Sequence, residues 1–211
     1  TESTIDLYTF VSSYDKEFFE KEYFLNNTLL VPVGAEINIS DLKKNCHNII
    51  FVAKMSYQSN EDGALWLLDK IWDKIISEVE DAKLYLVGKD PSKKLIEHAS
   101  KHLNVAVTGT VDDLSFFYNN TNVVVVPILA GGGVKVKLLE ALGKGKYVIT
   151  TTKGLEGTDF RNNVHLFACD NETEFANKCI NALLYPDSIS YIRNNAIEYM
   201  KERYSWEYIV D

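Results

Sequence analysis

The stretch from Asn122 to Gly157 constrains the fold more than any other part of the sequence. It reads NVVVVPILAGGGVKVKLLEALGKGKYVITTTKGLEG. An apolar run ends at Pro127, three glycines and a helix-like segment closed by Gly143 follow, and a second apolar run covers residues 147–149. This order predicts a buried strand, a glycine loop, a helix and another buried strand. Because the first N–H groups of a helix are unpaired and its dipole is positive there, we predict an anion-binding loop.

Short apolar runs alternate with helix-like segments along the chain. Strands are predicted at 49–53, 83–87, 105–107, 123–126, 147–149 and 164–168. Four helices are predicted to begin at the caps Asn60, Ser92, Asp112 and Asn171 or Thr173 and to end at about residues 78, 102, 118 and 184, respectively. Two more are predicted from about Val134 to Leu142 and from about Ser188 to Tyr204. This alternation predicts an α/β fold, a Rossmann-like parallel sheet with helices on both faces. Ligands of such sheets bind beyond the carboxyl ends of the strands.

The chain opens with a smaller unit. An apolar run at 5–11, a helix at 14–23 capped by Ser12 or Ser13 and an apolar run at 28–33 predict one β-α-β piece. This piece is too short to form a domain of its own. A polar, loop-like segment follows, and we place a boundary near 34–44.

Composition narrows the class of protein. Hydrophobic residues make up 46% of the 211 residues, so the chain can form a large core. The net charge of −8 disfavours nucleic acid as the main partner. The three cysteines show no metal or disulfide spacing, no apolar run approaches the ~18 residues of a membrane span, and the first residues are not a secretory signal. We therefore expect a cytoplasmic protein, and a peripheral contact with a membrane stays compatible with this composition.

The glycines and lysines of the central stretch are the main candidates for ligand binding. Gly131, Gly132 and Gly133 form either a close anion-binding loop or a plain surface turn, and they do not match a dinucleotide fingerprint. Lys135 and Lys137 lie two residues apart, so either they are solvated or one of them reaches a bound phosphate.

Three further side chains have an ordinary and a functional interpretation. Lys54 follows a buried strand and is either solvated or close to the same phosphate, and Asn60 is most simply a helix cap. Glu140, three residues after Lys137, either pairs with that lysine or accepts hydrogen bonds from ribose hydroxyls. No Asp-x-Asp pair and no metal-ligand spacing of histidines occurs, so lysines and a helix N-terminus would supply the positive charge.

The central stretch resembles the donor-site signature of the group 1, glycogen-synthase-like retaining glycosyltransferases. Other segments agree with it: FVAKMSYQSNEDGALWLL, KLYLVGKDP and VAVTGTVDDLSFFY resemble strand–loop units of the family's second domain, NNTLLVPVGAEIN its linker, and YSWE its terminal crossover helix. The resemblance covers residues 28–206 and, weakly, 5–23. It implies the C-terminal half of a GT-B fold. Residues 1–44 would end the N-terminal acceptor domain, residues 45–187 would bind a nucleotide-sugar, and residues 188–211 would form the crossover helix.

The resemblance also implies roles for individual residues. Gly131–Gly133 would line the diphosphate and sugar, Lys137 with Lys135 or Lys54 would bind phosphate, Glu140 would hold the ribose, and the backbone at Gly109 and Val111 would meet the base. Many relatives carry a glutamate at the position of Gly132, so the usual sugar-binding carboxylate is missing. Catalytic residues stay unassigned.

The activity that the resemblance implies is transfer of a sugar from UDP- or GDP-sugar to an acceptor hydroxyl with retention, without a metal, in polysaccharide biosynthesis. The acceptor would bind to the N-terminal domain that this sequence lacks, so the fragment alone would not transfer sugar. Two alternatives stay open: a sugar-nucleotide epimerase of the same fold, and a non-catalytic nucleotide-binding module.

Overall fold

The structure is a computed structural model that describes residues 5–210. Residues 1–4 and 211, which belong to the first and last predicted segments, lie outside the described part. The strands are β1 Tyr8–Phe10, β2 Thr28–Leu30, β3 Asn48–Val52, β4 Lys83–Val87, β5 Val105–Gly109, β6 Val123–Val126, β7 Tyr147–Thr150 and β8 Phe167–Ala168.

The helices between these strands complete the element order. They are α1 Ser13–Tyr23, α2 Gln58–Trp66, α3 Asp73–Glu78, α4 Lys93–Ala99, α5 Ser115–Asn119, α6 Val136–Gly143, α7 Thr152–Leu155, α8 Glu172–Leu184, α9 Ser190–Arg203 and α10 Trp206–Val210. A π-helical turn, Leu67–Trp72, joins α2 to α3, and a 3₁₀ turn, Pro186–Ile189, precedes α9.

The main sheet has six parallel strands in the order β5-β4-β3-β6-β7-β8. The order reverses between β3 and β6, as it does in doubly wound α/β sheets, and a crevice forms outside the strand ends at such a point. The predicted fold class, a Rossmann-like parallel sheet, is confirmed.

The sheet is covered on both faces. Alternate residues of a strand point to opposite faces, so Ile49 and Phe51 of β3 enter one apolar cluster and Ile50 enters the other. The helical segment 58–78 and α8 cover the first face, whereas α6 and α9 cover the second. The predicted helices on both faces are therefore also confirmed.

The chain before residue 45 adds a separate small sheet. β1 and β2 pair in parallel with α1 between them, and no residue of α1 is buried. Ser13 Oγ donates a hydrogen bond of 3.0 Å to Asp159 Oδ1, and Ala35 forms an isolated bridge with Ser205. The assignment of this unit to a preceding domain, and the domain borders at residues 44 and 187, stay predictions.

Three of the predicted helix caps are confirmed. The side chain of Ser12 accepts from Asp15 N, that of Ser92 from Leu95 N, and that of Asn171 from the amides of Thr173 and Glu174. Each satisfies a helix N–H that would otherwise lack a partner.

Two other predicted caps are wrong. Helix α2 begins at Gln58 with Tyr57 at the N-cap, so Asn60 lies inside the first turn. Helix α5 begins at Ser115 rather than after Asp112. The carboxylate that accepts from Ser115 N, at 2.7 Å, belongs to Asp113.

The last predicted strand is shorter than expected, whereas the last predicted helix is confirmed. β8 holds two residues because Asn162 bonds to both the N–H and the carbonyl of Ala168, which keeps residues 162–166 in a turn. The 3₁₀ turn and helix α9 together cover the predicted helix from about Ser188 to Tyr204, and α10 follows as a separate helix. None of the helices in residues 5–210 combines the length and apolar character needed to span a bilayer.

A close backbone contact fixes the start of α2 against the loop after β6. Gly63 is buried in α2, and a Cβ at this position would lie 1.8 Å from the carbonyl oxygen of Pro127. Any side chain therefore requires the helix or the loop to move. This contact sets the distance between the two loops that flank the reversal of strand order.

We predict that Gly63→Ala lowers the free energy of unfolding by roughly 1–3 kcal/mol, because the added methyl overlaps a backbone atom. Urea denaturation measures the change. Gly132→Ala is the control: a Cβ there meets no atom within 4 Å, so its stability should change by less than ~0.5 kcal/mol. A Gly63→Ala variant as stable as the wild type would contradict the close contact.

Candidate donor-binding site

Two neighbouring loops at the carboxyl edge of the sheet form the centre of the site. β6 ends at Val126, and residues 127–135 connect it to α6. β3 ends at Val52, and residues 53–57 connect it to α2. Because β3 and β6 are adjacent at the reversal of strand order, the two loops face each other across the crevice.

The glycine loop has a bare, open surface. Gly131 and Gly133 have φ values of +96° and +78°, which residues with a side chain rarely adopt. Gly132 has no such requirement, but a Cβ at any of the three positions would meet no atom within 4 Å. The loop is therefore open to a ligand that approaches its backbone closely.

Lys137 is the most deeply placed cation of the site. Its Nζ lies 5.1 Å from the centre of the Phe51 ring and donates a hydrogen bond of 2.5 Å to Asn60 Oδ1. Burial, with a smaller contribution from the positive charge of Lys135, lowers the pKa of Lys137 to about 8. No carboxylate of the described residues forms an ion pair with it. The ammonium keeps hydrogen-bonding capacity for an anion.

Asn60 links the two loops, a role that sequence reasoning missed. Its Nδ2 donates to the carbonyl of Lys54 at 2.8 Å, while its Oδ1 accepts from Lys137. The residue is buried, and its amide forms these two hydrogen bonds instead of capping a helix. Since 77 positions separate the two partners, no local pattern could have revealed the pair.

Lys135 and Lys54 line the same cavity as Lys137, but each makes different contacts. Lys135 Nζ donates to the carbonyls of Gly132 and Gly133 at 3.0 and 2.7 Å, so it closes the glycine loop on itself. Burial lowers the pKa of Lys135 as well. Lys54 Nζ lies 4.9 Å above the ring of Tyr57. The three lysines line what we call the lysine cavity, about 380 Å³, together with Gly131 and Gly132.

Glu140 lies in a different cavity from Lys137. The α5–α6 cavity, about 310 Å³, is lined by Glu140, Val136, Tyr118 and Lys144 among others. Glu140 forms no ion pair with Lys137 among the described residues, so the interpretation as a simple intrahelical pair is wrong. Partial burial raises the pKa of Glu140, whereas Lys144 and then Lys137 act in the opposite direction.

Tyr118 also lines this cavity, which the sequence did not suggest. It is buried, and its hydroxyl has no hydrogen-bond partner among the described residues. Burial, and then the charge of Glu140, raises the pKa of Tyr118. Lys144 Nζ lies 5.2 Å above the ring. The cavity thus offers a carboxylate and an ammonium, whereas the Tyr118 hydroxyl is enclosed by protein.

Gly109 is the last residue of β5, one of the two edge strands of the main sheet, and Val111 follows two residues later. Gly109 has φ +68° and open space around it. Neither residue lines the lysine cavity or the α5–α6 cavity, although Leu114, three residues beyond Val111, lines the latter. Their predicted contact with a base stays a prediction.

Three cavities follow one another along the N-terminal end of α6. Val136 lines both the α5–α6 cavity and the lysine cavity, and Gly132 lines both the lysine cavity and a third one. This third cavity, the Glu156 cavity, has about 490 Å³ and is lined by Glu156, Lys153 and Asp15 among others. A strongly cationic space therefore lies between two spaces of mixed polarity. Within residues 5–210, no group of three or more His, Cys, Asp or Glu side chains is arranged for metal binding.

Solved structures with the same fold include glycosyltransferases. TarM of S. aureus, in a complex that includes UDP, superposes with a TM-score of 0.80 at 15% identity and covers 98% of this chain and 42% of that chain. HepE of Anabaena, in complex with UDP-glucose, gives a TM-score of 0.76 at 16% identity, with 98% of this chain and 62% of that chain covered. These similarities show the fold.

The sequence comparisons show the family as well as the fold. A protein of Klebsiella pneumoniae, described as an uncharacterized 44.6 kDa protein in the cps region, is 27% identical over 209 residues. The match covers 96% of this chain and 53% of that protein, so the chain spans about half the length of its relative. The family model for glycosyl transferases group 1 matches residues 46–184, which is more than half of the chain. The chain therefore belongs to the group 1 glycosyltransferases.

Proposed function

We propose that this chain is the donor-binding half of a glycosyltransferase that moves a sugar from a nucleoside diphosphate sugar to an acceptor hydroxyl with retention. The observation that carries the proposal is the order of the three cavities. A cationic cavity lies between two polar ones, and Val136 and Gly132 join them. A nucleoside, a diphosphate and a sugar are joined in that same order.

The lysine cavity is the proposed diphosphate site. Lys137 offers an ammonium that is held only by a neutral amide, and the N-terminal end of α6 adds unpaired N–H groups. Lys54 adds a further positive charge, and the open glycine loop lets phosphate oxygens approach the backbone. We propose that these groups, rather than a metal ion, stabilise the diphosphate as it departs and takes up the acceptor proton.

The α5–α6 cavity is the proposed nucleoside site. The Glu140 carboxylate can accept hydrogen bonds from the two ribose hydroxyls. UDP is the first nucleotide to test, because HepE and TarM were solved with UDP-glucose and UDP. GDP stays the second choice.

The whole enzyme is proposed to need a preceding domain for the acceptor, so that this chain binds donor without transferring sugar. The relative's greater length leaves room for such a domain. The three free cysteines agree with our prediction of a cytoplasmic protein. A full-length protein that transfers sugar to an acceptor supports the proposal. Release of epimerised sugar without an acceptor would favour the epimerase alternative, and nucleotide binding without turnover would favour the non-catalytic module.

We predict that the chain binds UDP or GDP without added metal and that Lys137→Ala weakens this binding at pH 7 by about 10-fold or more, because a charged hydrogen bond is lost. Isothermal titration calorimetry measures the affinity. Lys94→Ala, which changes an exposed lysine of α4, is the control and should bind as the wild type does. Equal affinities of all three proteins would contradict the assignment of Lys137.

Affinity should also depend on pH through Lys137. Its pKa in the free protein is about 8, so the ammonium is present below pH 8 and lost above it. We therefore predict that UDP binds more weakly as pH rises from 7 to 9 and that a proton is taken up on binding in this range. Titrations in buffers of different ionisation enthalpy measure the uptake. Binding that stays constant to pH 9 would contradict a lowered pKa.

The pair of Asn60 and Lys137 can be tested without a ligand. Asn60→Asp places a negative charge beside the ammonium, so the pKa of Lys137 should rise clearly above 8, whereas Asn60→Leu should not raise it. The NMR signal of the lysine Cε reports the titration, with the signal of Lys94 as internal control. If Lys137 titrates at the same pH in the wild type and in Asn60→Asp, the contact is wrong.

A further inference from the structure

The segment from Thr150 to Gly157 is held firmly beside the glycine loop. Thr150 Oγ1 donates to the carbonyl of Val126 at 2.8 Å, and Thr151 Oγ1 donates to that of Ile128. Thr152 bonds to the Asp170 carboxylate through its N–H, at 2.9 Å, and through its hydroxyl, at 2.5 Å. Three successive threonines thus fix the backbone at the start of the segment.

Two glycines fix the rest of the segment against its neighbours. A Cβ at Gly154 would lie 2.0 Å from Thr150 Oγ1, and a Cβ at Gly157 would lie 2.8 Å from Val134 N. The segment therefore packs on the loop that precedes α6 without a side chain between them. Its position relative to Gly133 is set by backbone contact.

Two charged side chains stand on this fixed backbone, and they pair with each other. Lys153 Nζ lies 2.9 Å from both carboxylate oxygens of Glu156. The side chains are 40% and 47% exposed, so both stay accessible to a ligand. Both line the Glu156 cavity together with Gly132 and Gly133.

The glycine loop has no side chain that could accept a hydrogen bond from a sugar hydroxyl. Lys135 and Lys137 can only donate hydrogen bonds, and the bare glycines offer no side chain at all. A sugar joined to a diphosphate in the lysine cavity would enter the adjoining cavity past Gly132. Its hydroxyls can donate to a carboxylate and accept from an ammonium, and Glu156 and Lys153 supply both.

We infer that Glu156, oriented by Lys153, binds hydroxyls of the sugar that is transferred and so contributes to donor specificity. This inference rests on the proposed function. Asp15 of α1 also lines the cavity and is the competing carboxylate. Glu156 is favoured because the next residue, Gly157, packs directly against the glycine loop, whereas α1 belongs to the separate N-terminal unit.

The test compares a nucleotide with its sugar conjugates. Calorimetry is carried out on the wild type, Glu156→Gln and Asp15→Asn with UDP, GDP, UDP-glucose, UDP-galactose, UDP-N-acetylglucosamine and GDP-mannose. For the conjugate that binds best, we expect Glu156→Gln to weaken binding by about 10-fold, because a hydrogen bond to a charged group is lost. Binding of the free nucleotide should stay within about 3-fold, since Glu156 does not line the lysine cavity. Asp15→Asn should leave both unchanged.

The outcomes distinguish a failure of this inference from a failure of the proposed function on which it rests. If the wild type binds neither UDP nor GDP, the proposed function fails and the inference fails with it. If the free nucleotide binds to the wild type, two results overturn the inference alone. In one, Glu156→Gln weakens the binding of nucleotide and conjugate equally, and in the other it weakens the binding of neither. The same holds if Asp15→Asn shows the selective loss instead. Circular dichroism and thermal unfolding verify that each variant is folded.

Discussion

The site depends on a partly buried ammonium that the protein itself does not neutralise. Lys137 lies over Phe51 at the point where the strand order reverses, and a neutral amide is its hydrogen-bond partner. Burial disfavours the charged form, which is why its pKa lies well below that of an ordinary lysine. An anion that enters the lysine cavity would restore the charge and occupy the free N–H groups. We therefore propose that a bound diphosphate stabilises the charged form of Lys137.

The parts of this arrangement that follow local rules could be predicted from the sequence. Short apolar runs gave the strands, and Ser92 and Asn171 gave helix starts, since burial and capping act within a few residues. Asn60 could not be predicted, because a contact with Lys137 replaced the cap. The different contacts of Lys135 and Lys137 also depend on the conformation of the glycine loop, which the positive φ angles of two of its three glycines determine.

Glu140 is a second residue whose contacts could not be predicted from its spacing in the sequence. Its spacing from Lys137 suggested a pair, yet the two side chains line different cavities on α6. That separation favours a ligand long enough to reach both, and it agrees with the ribose role implied by the family resemblance. The resemblance also left the sugar without a carboxylate at Gly132. The structure has Glu156 beside that position, on a segment held by threonine hydrogen bonds.

The central claim is that one ligand extends along the N-terminal end of α6, with its diphosphate at Lys137. A crystal structure of the chain with bound UDP tests it most directly. We expect phosphate oxygens within hydrogen-bond distance of Lys137 Nζ and against the backbone of Gly131–Gly133, with the ribose hydroxyls at the Glu140 carboxylate. Phosphates bound elsewhere, with Lys137 still held by Asn60 alone, would contradict the account.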